Sequence, residues 1–100
     1  MNIKYPIATI CCSTRYKTEI LKLYNELTEQ GYIVLADLTD HEKQNEFDKN
    51  MIDNMHRQKI DMASVVYFLV KDNHMGKSVK EEFLYVTENN KPYKIKEITC

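Results

Sequence analysis

The chain has no tryptophan, only two glycines and two prolines in 100 residues, and no surplus of either charge sign. So little glycine and proline excludes collagen-like repeats and low-complexity segments. Fourteen basic against fifteen acidic side chains leave a net charge of −1. That balance provides no global positive field to draw the chain to nucleic acid or an anionic membrane. The longest apolar runs, Ile7 to Cys12 and Val65 to Val70, fall far short of the roughly 20 residues a membrane-spanning helix needs. Cys11, Cys12 and Cys100 are odd in number, and two are adjacent, which is no secreted disulfide framework. The opening MNIKYPIAT has neither the charged region nor the long apolar stretch of a signal peptide. The expectation is a cytoplasmic protein in a reducing compartment, without membrane or nucleic-acid polymer as partner.

What is present is enough apolar material for one core: 43% hydrophobic residues, seven tyrosines and three phenylalanines. At this length a second core would leave each half too small, so residues 1–100 are read as a single domain. Ile7 to Cys12 is almost continuously apolar, as a strand buried on both faces is, and Ser13-Thr14 then offers a helix cap. From Arg15 to Gln30 the residues Ile20, Leu23, Tyr24 and Leu27 recur at helical spacing, with Gly31 placed for a left-handed C-cap. Tyr32 to Ala36 reads as a second strand and Asp37 to Lys49 as a charged surface loop. Met51, Ile52, Met55, Ile60 and Met62 approximate a second helix from about Asp48 to Met62, the methionines serving core or interface packing. Val65 to Val70 is the clearest strand.

Lys71 to Lys77 is a polar loop, Ser78-x-x-Glu81 has the form of a capping box, and a third helix buries Val79, Phe83 and Val86. It stops near Asn89-Asn90 before Pro92, and Tyr93, Ile95 and Ile98 form a last strand. The order βαβαβαβ predicts an α/β fold, a Rossmann-like or flavodoxin-like three-layer sandwich on a small four-stranded parallel sheet. Ligands of such sheets bind at the carboxyl ends of the strands, where the strand order reverses. The site is therefore expected where the loop Cys12 to Arg15 meets the loop Lys71 to Ser78.

The first loop leads a strand into a helix N-terminus, which favours an anion. Ser13 and Thr14 add hydroxyls and Arg15 a guanidinium fork, although capping alone would also account for Ser13 or Thr14. Glu82, four residues after Ser78, has the chemistry of a nucleophile or general base; its other reading is a carboxylate serving the helix dipole.

Taken together, CSTR after the first strand, HRQKIDMASVVYFLV, GKSVKEEFLYV and NNKPY resemble the nucleoside 2-deoxyribosyltransferase-like superfamily, which includes the 2-deoxynucleoside 5-monophosphate N-hydrolases. The resemblance covers most of the chain, with Ser78, Glu82, Tyr85, Val86 and Lys91-Pro92 at matching positions. It implies cleavage of an N-glycosidic bond, or base exchange, on a 2-deoxyribonucleoside or its 5-monophosphate, with Glu82 as the attacking carboxylate. Asp61 or His56 would serve the leaving base. Cys12, Ser13, Thr14 and Arg15 would form a phosphate loop, with Gly76, Lys77, Ser78 and Lys80 across from it. No cofactor is called for; the partner is a small nucleoside or nucleotide. The sequence departs from the pattern at Cys12, Ser78 and Lys80, which stand where the family has glycine, and at Ser64, which stands where it has Asp.

Two other readings stay open. One is a non-catalytic nucleotide-binding module whose site has eroded. The other is a phosphotransfer domain of the sugar-phosphotransferase IIB kind, with Cys12 activated at the helix N-terminus. His41, His56 and His74 lie in different segments without metal-ligand spacing, so they read as solvated or capping residues and no metal site is expected. A homodimer through the second or third helix is the assembly considered, because a small open sheet leaves edges uncovered.

Overall fold

A computed structural model describes residues 4–38 and 49–98. Most of the expected charged loop, with His41, and Cys100 lie outside the described residues. The elements run β1 (Ile7–Cys11), a 3-10 turn (Thr14–Tyr16), α1 (Lys17–Glu29), β2 (Ile33–Ala36), α2 (Lys49–Met62), β3 (Val65–Val70), α3 (Lys77–Glu88) and β4 (Tyr93–Glu97). The four strands form one sheet in the order β2-β1-β3-β4, and every pairing is parallel. The chain thus has the expected α/β architecture, compatible with a Rossmann-like or flavodoxin-like sandwich. The order of strands reverses between β1 and β3, so a crevice opens at their carboxyl ends.

Alternation along the central strands divides the interior into two layers, because successive side chains on a strand point to opposite faces. Ala8 and Ile10 of β1 and Tyr67 and Leu69 of β3 pack with Ile20, Leu23 and Leu27 of α1. Cys11, Val66 and Phe68 face the other way, onto Ile60 of α2 and Val79 and Val86 of α3. Phe68, Phe83 and Tyr93 close this second layer as a triangle of edge-on rings, with centroids 5.2–6.1 Å apart, the arrangement aromatic quadrupoles prefer.

The helix ends explain where the chain turns. Gly31 takes φ +92°, and the amides of Gly31 and Tyr32 return to the carbonyls of Thr28 and Leu27, a Schellman ending that only a residue at ease in the left-handed region closes without strain. Asn90, at φ +53°, ends α3 similarly, with Lys91 N donating to the Val86 carbonyl. Asp72 and Asn73 are both left-handed, at φ +54° and +57°, and fold the chain back as soon as β3 ends.

The expected capping box does not form. Helix α3 begins one residue before Ser78, with Gly76 as N-cap and no side chain capping it. Ser78 therefore stands inside the first turn, too late to act as a cap. Of the two roles expected of the methionines, the core role is not seen: Met51, Met55 and Met62 are about half exposed, whereas the inward stripe of α2 carries His56 and Ile60, with Ile52 half-buried. Ile52, His56 and Ile60 are spaced by four, so a polar residue occupies the centre of the buried stripe.

The layer between the sheet and α2/α3 is the one most sensitive to truncation. Phe68→Ala is expected to lower the unfolding free energy by about 3–5 kcal/mol. Leu84→Ala, which removes an exposed side chain, should change it by less than about 0.5 kcal/mol. Urea unfolding of the two variants beside the native chain checks the contrast, and equal losses would contradict this layering.

Candidate functional site

The crevice lies where the fold expects it. Its volume is about 570 Å³, and its wall carries Cys12, Ser13 and Thr14 from the loop after β1, Asp37 after β2, Lys49, Ile52, Asp53 and His56 of α2, and Gly76, Lys77, Ser78, Val79 and Glu82 from the start of α3. That volume suits a small-molecule ligand.

Helix α2 is held across β1 by two hydrogen bonds that converge on one residue. Thr9, fully buried on β1, donates its hydroxyl to the Lys59 carbonyl at 2.7 Å, and Lys59 Nζ donates to the Ala36 carbonyl of β2 at 3.0 Å. Thr9 and Cys11 lie two apart on the strand and face the same side. Fixing Lys59 over Thr9 therefore brings the preceding turn of α2, with His56, over Cys11.

At that point three side chains meet. His56 Nε2 is 3.4 Å from Cys11 Sγ and 2.9 Å from Glu82 Oε2. Cys11 is fully buried, His56 is 7% exposed, and the Glu82 side chain is 21% exposed. Nε2 and Oε2 stand at ion-pair distance, and the Cys11 thiol is also within hydrogen-bonding reach of the Glu82 carboxylate, whereas His56 Nδ1 has no partner. The three atoms Sγ, Nε2 and the carboxylate oxygen lie within 4.8 Å of one another, a set of soft and borderline donors able to hold a metal ion. Ligand spacing gave no hint of it, because each residue comes from a different element. Thr14 contributes one more unpaired group: it is 8% exposed, lines the crevice, and its Oγ1 has no partner.

This geometry is not that of a cysteine nucleophile activated by a histidine and carboxylate. In such a triad the carboxylate binds the ring nitrogen remote from the nucleophile; here both Cys11 and Glu82 crowd Nε2. Burial also pushes the Cys11 thiol well above its ordinary range, with the Glu82 carboxylate adding to the shift. Cys12 is pushed up to about 12, by burial first and then by the Glu19 carboxylate. The expected activation of Cys12 at a helix N-terminus is thus opposed, by burial first and then by the Glu19 carboxylate.

The other expected residues divide. Cys12, Ser13, Thr14, Gly76, Lys77, Ser78, His56 and Glu82 come together at the crevice. Arg15 is exposed and belongs to an adjoining recess of about 100 Å³, with Ser13, Tyr16, Lys71, His74 and Gly76. Lys80 is exposed and lines none of these hollows, as its place on α3, one residue after the buried Val79, turns it outward. Asp61 is also outside. It sits near the end of α2 that leads into β3, its carboxylate accepting from the Tyr85 hydroxyl at 2.6 Å and its carbonyl from Lys91 Nζ at 2.9 Å. The Lys91 ammonium also bonds the Ala63 carbonyl at 2.7 Å, so the Lys-Pro step closes the end of α2.

Gly76 is N-cap to α3 at φ −65°, and a Cβ built on it meets nothing within 4 Å. Neither the backbone nor the packing demands glycine there, and Gly76 lines the crevice. Sequence reasoning missed Cys11 and Asp53. Cys11 was legible only as the last inward residue of β1, and Asp53 as the residue one turn before His56. In comparisons with known proteins, the chain matches no family model, no curated protein and no solved structure.

The two thiols should be unreactive in the native state. With a pKa of about 12 against an ordinary 9.0, Cys12 holds about a thousandth of the usual thiolate. The greater nucleophilicity of a more basic sulfur recovers part of that, leaving roughly a 30- to 60-fold deficit. A Cys100→Ser chain is expected to react with a disulfide reagent at pH 8 at least that much more slowly than free cysteine, and at the ordinary rate once unfolded. Native reactivity equal to that of free cysteine would contradict the assigned environment.

Proposed function

We propose that the crevice binds a 2-deoxynucleoside or its 5-monophosphate and that Glu82 attacks C1 of the sugar, cleaving the N-glycosidic bond or exchanging the base. The observation that carries this reading is the half-sequestered Glu82 carboxylate, set against a buried histidine on the wall of a crevice of nucleoside size.

In the attack, an oxygen of Glu82 forms a bond to C1 while the bond from C1 to the base nitrogen breaks. The base takes the bonding pair, and the transition state is oxocarbenium-like. Water, or a second base, then displaces the carboxylate. His56 positions Glu82 from 2.9 Å. The role first assigned to Asp61 passes to Asp53, which lies one turn before His56 and lines the crevice, where it can face the leaving base.

Support for a 5-phosphate comes from the approach of two helix N-termini to the crevice, from Thr14 Oγ1, which has a hydrogen bond to spare, and from Lys77 on the rim. Gly76 leaves its backbone amide open to close approach. Arg15, one hollow away, is left to reach a charged group extending beyond the crevice.

Incubation with a panel of 2-deoxynucleosides and 5-monophosphates, with and without an acceptor base, should release or exchange the base. Glu82→Ala should abolish turnover, and His56→Ala should lower kcat by roughly 10²–10⁴-fold. Gly76→Val is expected to keep the fold and raise KM. Turnover that survives Glu82→Ala, or none by the native chain on any member, would overturn the reading. Retained nucleotide binding without turnover would instead identify a binding module.

A further inference from the structure

We infer that Cys11 Sγ, His56 Nε2 and the Glu82 carboxylate form a binding site for a divalent transition-metal ion of the zinc class, with a fourth coordination position open to the crevice. The inference goes beyond the glycosidic reading and does not rest on it.

The two shortest donor separations are close to those of a coordination sphere. Zinc lies about 2.3 Å from a thiolate sulfur, about 2.0–2.1 Å from an imidazole nitrogen and about 2.0–2.2 Å from a carboxylate oxygen. At tetrahedral angles the sulfur and nitrogen are then about 3.5 Å apart, and the nitrogen and oxygen about 3.3 Å. The corresponding separations here are 3.4 Å and 2.9 Å, so these two pairs need open by only a few tenths of an ångström, and all three donor atoms lie within 4.8 Å of one another.

Hydrogen bonding accounts poorly for the same cluster. One ring nitrogen offers either a single proton or a single lone pair, yet Nε2 faces both the sulfur and the carboxylate. The Glu82 carboxylate in turn is approached by both the Cys11 thiol and Nε2, the latter at 2.9 Å. Cys11 Sγ, Nε2 and the carboxylate already lie against one another pairwise, more contacts than the protons shared among them can serve at once, and an ion bound to all three atoms would satisfy each of them.

Binding balances simply. The Cys11 S–H bond gives its proton to solvent, and the sulfur, the Nε2 lone pair and a carboxylate oxygen each form a bond to the ion, while Nδ1 carries the ring proton. Sulfur and imidazole together select zinc, cobalt or copper over magnesium or calcium. Cys11 is buried beneath the other two, whereas His56 and Glu82 line the crevice. Three protein donors with one side open is the plan of a site that admits water or a ligand group as the fourth partner.

Cobalt(II) chloride titrated into a Cys12→Ser/Cys100→Ser chain, in which Cys11 is the sole remaining thiol, tests the inference directly. One equivalent should generate a thiolate-to-cobalt charge-transfer band, and zinc should displace it. His56→Ala and Glu82→Gln in the same background should each weaken binding by about tenfold or more. No band, or a band of unchanged affinity in either variant, would overturn the assignment. Zinc-edge X-ray absorption on the wild-type chain reads the donors without any substitution: one sulfur with nitrogen and oxygen neighbours is expected, and a shell without sulfur, or with two, would overturn it.

Discussion

The site depends on how α2 is fastened across β1. Thr9 is the only polar side chain pointing from the described part of β1, and its hydroxyl bonds the Lys59 carbonyl while the Lys59 ammonium reaches the end of β2. A neutral hydrogen bond of this kind is worth about 1 kcal/mol net, too little to decide the stability of the fold. It decides register instead. A slip of α2 by one residue would rotate its face by about 100°, removing His56 from above Cys11 and replacing Ile60 in the apolar layer with a charged neighbour. Apolar burial thus supplies the energy of the α2 layer, and two hydrogen bonds select the one alignment in which the polar cluster assembles.

That cluster is costly to the apo fold. A buried polar group left without a partner costs about 1–3 kcal/mol, and His56 Nδ1 and Thr14 Oγ1 are in that position. Apolar side chains would pack the same space without the cost. Both groups lie at the switch point of the sheet, where bound ligands are expected and packing alone demands no polarity. Elsewhere the described interior keeps its polar side chains paired, as Thr9 is with the Lys59 carbonyl.

The fold was legible because its signals are local and redundant. Alternating apolar runs and helical stripes gave the order βαβαβαβ, and Gly31 marked the end of α1 through a conformation few other residues take readily. The capping box at Ser78 was a false signal because a glycine two residues earlier started the helix first; two plausible caps competed, and nothing local ranked them. The methionines misled because Met51, Met55 and Met62 match helical spacing nearly as well as Ile52, His56 and Ile60 do, and hydrophobicity alone ranks a methionine above a histidine. Glu82 and His56 were both singled out, but the contact between them was not, since it joins elements 26 residues apart. Cys11 was passed over for its neighbour Cys12, although a strand ending at Cys11 turns only one of the two toward α2.

Glu82 is the carboxylate on which the two proposals meet, and its position constrains both. As a nucleophile it needs a free oxygen directed at the sugar; as a ligand it gives up an oxygen to the ion. A carboxylate has two oxygens, but one already faces Nε2 at 2.9 Å, and binding of an ion there withdraws electron density from the other. Metal occupancy therefore lowers the nucleophilicity of Glu82 rather than raising it. The proposed glycosidic chemistry would therefore belong to the metal-free chain. An ion in the site would instead bind and polarise whatever donor the crevice presents at the open position, and the same three side chains would then favour ligand capture over attack on carbon.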